Sequence, residues 1–279
     1  MSKSRFRTNM LVCAMLAPGL IAFLLLFAWP LVNTIWLSLQ GPDGLSFVHY
    51  AGFFQDPQAV NALFLAGVLA LSCTGFAFLL SLPLSLIART SGRALKLLQP
   101  LVLLPLIMPP IISAFGLLIF WKNNGWFNLF LIDVLGLSKA IKVNYTLPGL
   151  ILFYVWLYLP YTLLNAISSV RAIDPAIENA ARVGGAREWT VFRRITLPLM
   201  LPGLLTGSVL TFVMAFGAFT IPLIAGGDIR PLAVHIYTVA TVFNKWDSAS
   251  AMAVIMAVIQ IVFLGLFLNR TDQRRRGTA

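Results

Sequence analysis

Side chains able to do polar chemistry are scarce in this sequence, and they gather in one place. The stretch from Arg171 to Arg194, RAIDPAIENAARVGGAREWTVFRR, holds five arginines, one aspartate and two glutamates. No recognisable catalytic set accompanies them. The sequence has no Gly-rich phosphate loop ending in Lys-Ser/Thr, no His-Glu-x-x-His, no Gly-x-Ser-x-Gly and no pair of carboxylates inside an apolar run. His49 and His235 stand alone, without Cys, Asp or Glu at metal-ligand spacing, and read as polar loop histidines. No catalytic residue, metal site or cofactor on this chain is expected. Any work it does must be driven by another chain or by an ion gradient.

Within the charged stretch, Asp174-Pro175 is a helix start: the carboxylate can accept from unpaired N–H groups, and proline suits the first helical position. Ile177, Ala180, Ala181 and Gly184 then recur on one narrow face of small or aliphatic residues, while Glu178, Asn179 and Arg182 point elsewhere. Such a stripe lets another surface approach closely. Gly184-Gly185 interrupts the helix at a sharp turn. A second helical stretch from about Arg187 carries Trp189 and Phe192, and Pro198 and Pro202 mark its entry into the next apolar run. The pattern predicts an angled helix pair; taken alone, it fits a solvated loop equally well.

The surrounding elements are set by composition. With 59% apolar and 10% charged residues, and a mean hydropathy of +0.89, the chain belongs with integral membrane proteins. Six long uncharged runs exceed the roughly 20 residues a helix needs to cross the hydrocarbon layer. They predict an all-α membrane protein with six spans at about 11–37, 61–88, 97–121, 146–170, 198–224 and 248–269, forming one transmembrane domain over 1–279, with the charged segment 171–197 between spans four and five. The runs are apolar at odd and even positions alike, which excludes a strand-built barrel. The first is too long for a signal-peptide core and is read as a retained span.

Fifteen of the twenty Lys and Arg fall before span one, between two and three, between four and five, and after six. That asymmetry places both termini and the charged segment in the cytoplasm. The net charge of +11 is mainly this topology signal, and its dispersal among loops argues against a nucleic-acid partner. Cys13 and Cys73 fall inside spans and read as packing residues, not a disulfide. None of the six runs contains Asp, Glu, Lys or Arg, which weighs against the alternative function, an ion-gradient-driven secondary transporter.

Other features are less specific. Pro105 and Pro109-Pro110 permit bending in span three. Tyr154, Trp156, Tyr158, Tyr161 and Asn165 in span four read in part as an interfacial belt. The segment from Trp121 to Lys139 is too short and polar to span, and its Trp126, Phe127, Leu129 and Phe130 suggest a short helix along the outer surface.

Glu178-Asn179-Ala180-Ala181 through Gly185-Ala186 to Ile195 and Leu197-Pro198 resembles the EAA loop of permease subunits of bacterial binding-protein-dependent ABC importers. That pattern is Glu-Ala-Ala, three residues, Gly, nine residues, then Ile-x-Leu-Pro. Aligned on Ala180-Ala181, the motif glycine is Gly185 and the downstream element falls on Ile195, Leu197 and Pro198 without a gap. The family's glutamate falls on Asn179, with Glu178 one position early, which leaves open any salt bridge assigned to that glutamate.

The resemblance implies a multi-pass permease of the bacterial inner membrane. It would work with two copies of a cytoplasmic ABC ATPase, which carry ATP and Mg, a second permease that is a different chain, a periplasmic solute-binding protein, and membrane lipid. The segment would be a coupling helix seated in the ATPase. Ile177, Ala180 and Ala181 would touch it, with Glu178, Asn179 and Ala186 in the same segment, Gly184 and Gly185 would set the angle, and Trp189 and Phe192 would brace it against the spans. A Gly185→Glu change would then uncouple transport by forcing a bulky charge into a close-packed turn. Thr211, Phe212, Phe216 and Thr220 of span five would line the solute pathway. Gly125-x-x-Asn128, Gly226-Gly227 and Phe243-Asn244-Lys245-Trp246 resemble the branch serving polyamines, opines, phosphonates and ferric iron.

Overall fold

The structure, a computed structural model, describes residues 15–42, 44–90 and 92–276, with the side chains of 90, 92–99 and 268–276 left out. Cys13 and the start of the first expected span lie outside the described residues. Five described helices are long and apolar enough to cross a membrane: Met15–Ser38, Pro57–Arg89, Leu147–Arg171, Glu188–Phe216 and Trp246–Phe267. The third expected span is a bent pair, Pro100–Ile107 and Pro110–Phe120 at 116° to each other, which makes a sixth crossing when the two are counted as one. The protein is an all-α membrane structure. Among the described residues its strands form one two-stranded hairpin, pairing Gln40 with Leu45 and Gly41 with Gly44.

The break in the third crossing follows from Pro109-Pro110. Pro109 turns the chain out of the helix at φ −54° and ψ 134°, and Pro110 starts the next helix where its missing N–H costs nothing. The bending that the prolines permit is therefore a full break. The run expected as one span over 198–224 is divided too. Its helix ends at Phe216, Gly217 caps it, and a separate helix runs Thr220–Ala225. On the other side the same helix reaches back to Glu188 through a π-helical turn at Phe192–Thr196, so it grows out of the charged segment without interruption.

The chain forms two compact units, Met1–Pro57 with Ile236–Ala257, and Gln58–His235 with Val258–Ala279. In the first, His49 is a structural residue: its Nε2 lies 2.8 Å from the Gln40 carbonyl and its Nδ1 3.1 Å from the Ser248 hydroxyl. Because a carbonyl can only accept, Nε2 carries the proton in the neutral ring and Nδ1 accepts from Ser248. His235, expected in a loop, is instead buried at the start of the helix Leu232–Thr241, in the second unit.

The second unit is organised around the packing of Leu147–Arg171 on Leu197–Phe216. Gly203 and Gly207, spaced as Gly-x-x-x-Gly, make the close approach possible. A Cβ on Gly207 would sit 2.6 Å from the Thr162 Cα, and one on Gly203 would collide with the Ser169 side chain. Thr162 and Thr211 share a buried hydroxyl hydrogen bond of 2.8 Å across the same seam. Toward the charged segment the seam widens into a core of Ala166, Val170, Ile173, Met200 and Leu204, with Phe78, Leu82, Leu86 and Leu197 packed against it. Tyr154 is buried in this unit, so it belongs to the bundle interior and not to an interfacial belt.

Candidate functional site

The charged segment folds as a capped helix, a turn and the start of the next span. Asp174 takes the N-cap position, its Oδ1 accepting from the Ala176 N–H at 2.9 Å, and the helix runs Pro175–Val183. Its C-terminus closes as a Schellman motif. The Ala186 N–H donates to the Ala181 carbonyl at 3.0 Å and the Gly185 N–H to the Arg182 carbonyl at 2.9 Å. Gly185 carries the required left-handed conformation, at φ +83°. Nothing in the chain lies within 4 Å of a Cβ added there, so the turn itself does not crowd Gly185, and what constrains it within the chain is its backbone conformation.

Glu178 faces inward. It is 7% exposed, and its Oε1 accepts from Arg89 Nη1 at 2.7 Å and from the Thr196 hydroxyl at 2.5 Å. Arg89 ends the second span, and its other arm, Nη2, donates to the Ile173 carbonyl at 3.0 Å. Burial pushes the Glu178 carboxyl upward. Hydrogen bonds from Thr196 and Arg89, together with the Arg89 and Arg182 charges, outweigh that and hold it below its usual value. Arg182 grips Glu188 beyond the turn with Nε at 2.7 Å and Nη2 at 3.2 Å, and reaches Asn179 Oδ1 with Nη1 at 2.9 Å.

The opposite side is open. Ile177, Asn179, Ala180, Gly184 and Gly185 are exposed, Ala181 and Ala186 half-buried, and Val183 is 91% exposed. The expected bracing is corrected for Trp189, which is 67% exposed and lies tilted against the half-buried Phe192 with ring centroids 5.4 Å apart. The bracing comes instead from Ile173, Val191 and Thr196, all buried, because they fall on the side of their elements that meets the bundle. Glu178, grouped by sequence with the docking residues, is likewise on the anchoring side.

Three of the four pathway candidates lie inside the subunit. Thr211 is bonded to Thr162 and donates to the Tyr158 carbonyl at 3.1 Å. Phe212 is buried between Phe216, at 5.6 Å, and Phe263, at 3.8 Å. These three residues are packed inside the subunit and expose little surface, because their side of the helix faces the bundle. Thr220 opens the short helix Thr220–Ala225 and is half-buried. Sequence reasoning missed Arg89 and Thr196 as partners of Glu178, and it missed Gly203 and Gly207, whose four-residue spacing was readable.

The model of the family described as "Binding-protein-dependent transport system inner membrane component" matches residues 81–277, a range that includes Arg89 and the whole charged segment. The chain belongs to this family. It is 30% identical over 251 residues to the molybdenum transport system permease protein ModB of Mycobacterium bovis, covering 83% of this chain and 92% of that one. The spermidine/putrescine transport system permease protein PotB of Salmonella typhimurium is 26% identical over 258 residues, covering 89% and 90%.

The fold is shared with crystal structures of a bacterial ABC transporter that imports the acidic polysaccharide alginate. One aligns at a TM-score of 0.78 and 20% identity over 97% of this chain and 98% of that one. Another, with an alginate pentasaccharide-bound periplasmic protein, aligns at 0.75 and 23% over 97% and 96%. As a component of this family with spans of this kind, the chain is a multi-pass inner-membrane permease subunit of an ABC importer.

Proposed function

We propose that this permease forms half of a solute pathway and is driven through the helix Pro175–Val183, which docks on a cytoplasmic ABC ATPase. The observation that carries the reading is the two-sidedness of that helix: a small-residue face left open, and an acidic face locked to its own spans. A free cytoplasmic loop would need neither the Schellman closure nor the buried carboxylate. Two ATPase copies supply ATP and Mg, a second and different permease completes the pathway, and a periplasmic solute-binding protein delivers the cargo. Both termini lie in the cytoplasm, as the basic loops require.

The cargo is a small polar solute of the class that includes polyamines, opines, phosphonates and ferric iron. The six uncharged runs offer no carboxylate to a polycation, which favours an anion over a polyamine within that class. The likeness to a permease named for molybdenum transport supports the same choice.

The test is affinity purification of the tagged chain from native membranes, with identification of the bound chains. Recovery of an ATPase and a second permease is expected, and purification of the chain alone would overturn the reading in favour of gradient-driven transport. Isothermal titration of the co-encoded binding protein with molybdate, phosphonate and spermidine then reads the solute class, and tight spermidine binding would reverse the preference for an anion.

A further inference from the structure

We propose that Arg89 is a positioning residue for energy coupling: with Glu178 and Thr196 it forms a joint that makes the coupling helix and the ends of spans two and five move as one body. This rests on the docking role proposed above for the helix Pro175–Val183.

The coupling helix is flanked by features that would otherwise let it swing. Before it, the chain leaves span four at Arg171 through three residues; after it come two consecutive glycines. A helix hung between such points would absorb a push in its own hinges. The joint prevents this. A single guanidinium takes hold of the helix at two levels, Nη2 on the Ile173 carbonyl just before the N-cap at 3.0 Å and Nη1 on Glu178 in the first turn at 2.7 Å. The Thr196 hydroxyl binds the same carboxylate oxygen from the start of span five.

The side chains of the Arg89–Glu178 pair are 15% and 10% exposed, so water does not readily replace either partner. Separating them would leave a charge buried without compensation, which makes the contact resist displacement. Arg182 on Glu188 bridges the glycine turn and stiffens the far end. The planar fork of arginine suits this double grip; a lysine ammonium could keep Glu178 but would lose the fixed second arm.

The experiment places nitroxide labels on Ala176→Cys, exposed in the first turn of the coupling helix, and Leu71→Cys in the second span, in a Cys13→Ser, Cys73→Ala background. Distances are measured by electron–electron resonance in the intact complex before and after trapping with ATP and vanadate. With Arg89 present, the distance distribution is expected to stay narrow and keep its mean through trapping. In Arg89→Met it broadens and shifts on trapping while the ATPase stays bound, and Arg89→Lys recovers the narrow distribution in part. Thr196→Val, which keeps both charges, gives an intermediate width and covers the case in which Arg89→Met is poorly folded. ATPase bound to every variant with distances equal to wild type in both states overturns the joint while leaving the docking role intact. A wild-type chain that carries no ATPase fails the docking role itself, and the joint with it.

Discussion

Two segments outside the membrane are each built around one buried polar side chain, and they differ in how far that side chain reaches. In the segment that follows the third crossing, Asn128 donates to the carbonyls of Trp121, Lys122 and Ile141 at 3.3, 3.0 and 3.1 Å and accepts from the Ile141 N–H at 2.8 Å. Every partner lies within 13 residues of it. In the coupling segment, Glu178 bonds to Thr196, 18 residues on, and to Arg89, 89 residues back. A neutral amide satisfied locally folds a loop onto itself. A charge satisfied at long range ties the loop to the spans, so that moving one moves the other.

The strongest way to break this contrast is Glu178→Ala. It leaves Arg89 buried without its partner, at a cost of about 3 kcal/mol, and should raise tryptic cleavage at Arg182 and Arg187 by about 100-fold. Unchanged cleavage would mean that the helix is held by its apolar contacts alone.

Next in size is Asn128→Ala, which removes the side-chain partner of four backbone groups, the carbonyls of Trp121, Lys122 and Ile141 and the Ile141 N–H, and costs about 2 kcal/mol. Cleavage at Lys139 and Lys142 should rise, with cleavage at Arg182 unaffected. A rise at both sites would show that the segment around Asn128 is not self-contained.

The turn gives a smaller effect. At φ +83°, Gly185→Val should destabilise the coupling segment by about 1–2 kcal/mol, whereas Gly185→Asn, which tolerates that conformation, should cost little. Equal thermal stability of the two variants would rule out backbone conformation as the constraint.

The mildest test is acidity. Because the Glu178 carboxyl is held below its usual value of 4.5, its stabilisation is complete above that pH and is lost as the pH falls through the lowered value. The difference in proteolytic protection between wild type and Glu178→Gln should be full at neutral pH and shrink only below about 4.5. A difference that faded near neutrality would assign the anchoring to another group.

Much of this was readable from the residues. The spans follow from the absence of charge, the capped helix from Asp174-Pro175 and Gly184-Gly185, and the third crossing's weakness from its prolines, because each depends on neighbours along the chain. The Gly125-x-x-Asn128 pattern also has a local cause: Gly125 passes so close to the Ile119 carbonyl that a Cβ would lie 2.5 Å from it, and Asn128 closes the same turn. The placement of the pathway candidates was not legible for the opposite reason. Thr211, Phe212 and Phe216 look the same in sequence whether they face a channel or the bundle, and only the rotation of their helix distinguishes the two.

Composition and spacing, then, determined by themselves that this chain spans a membrane in helices, where its polar segment lies, and that the segment starts and stops as a short helix. Those properties arise from solvation of single residues and hydrogen bonds a few residues apart. The tertiary structure decided which side of that helix is open and which is locked, because Arg89 and Thr196 reach Glu178 only once the second and fifth spans are brought side by side.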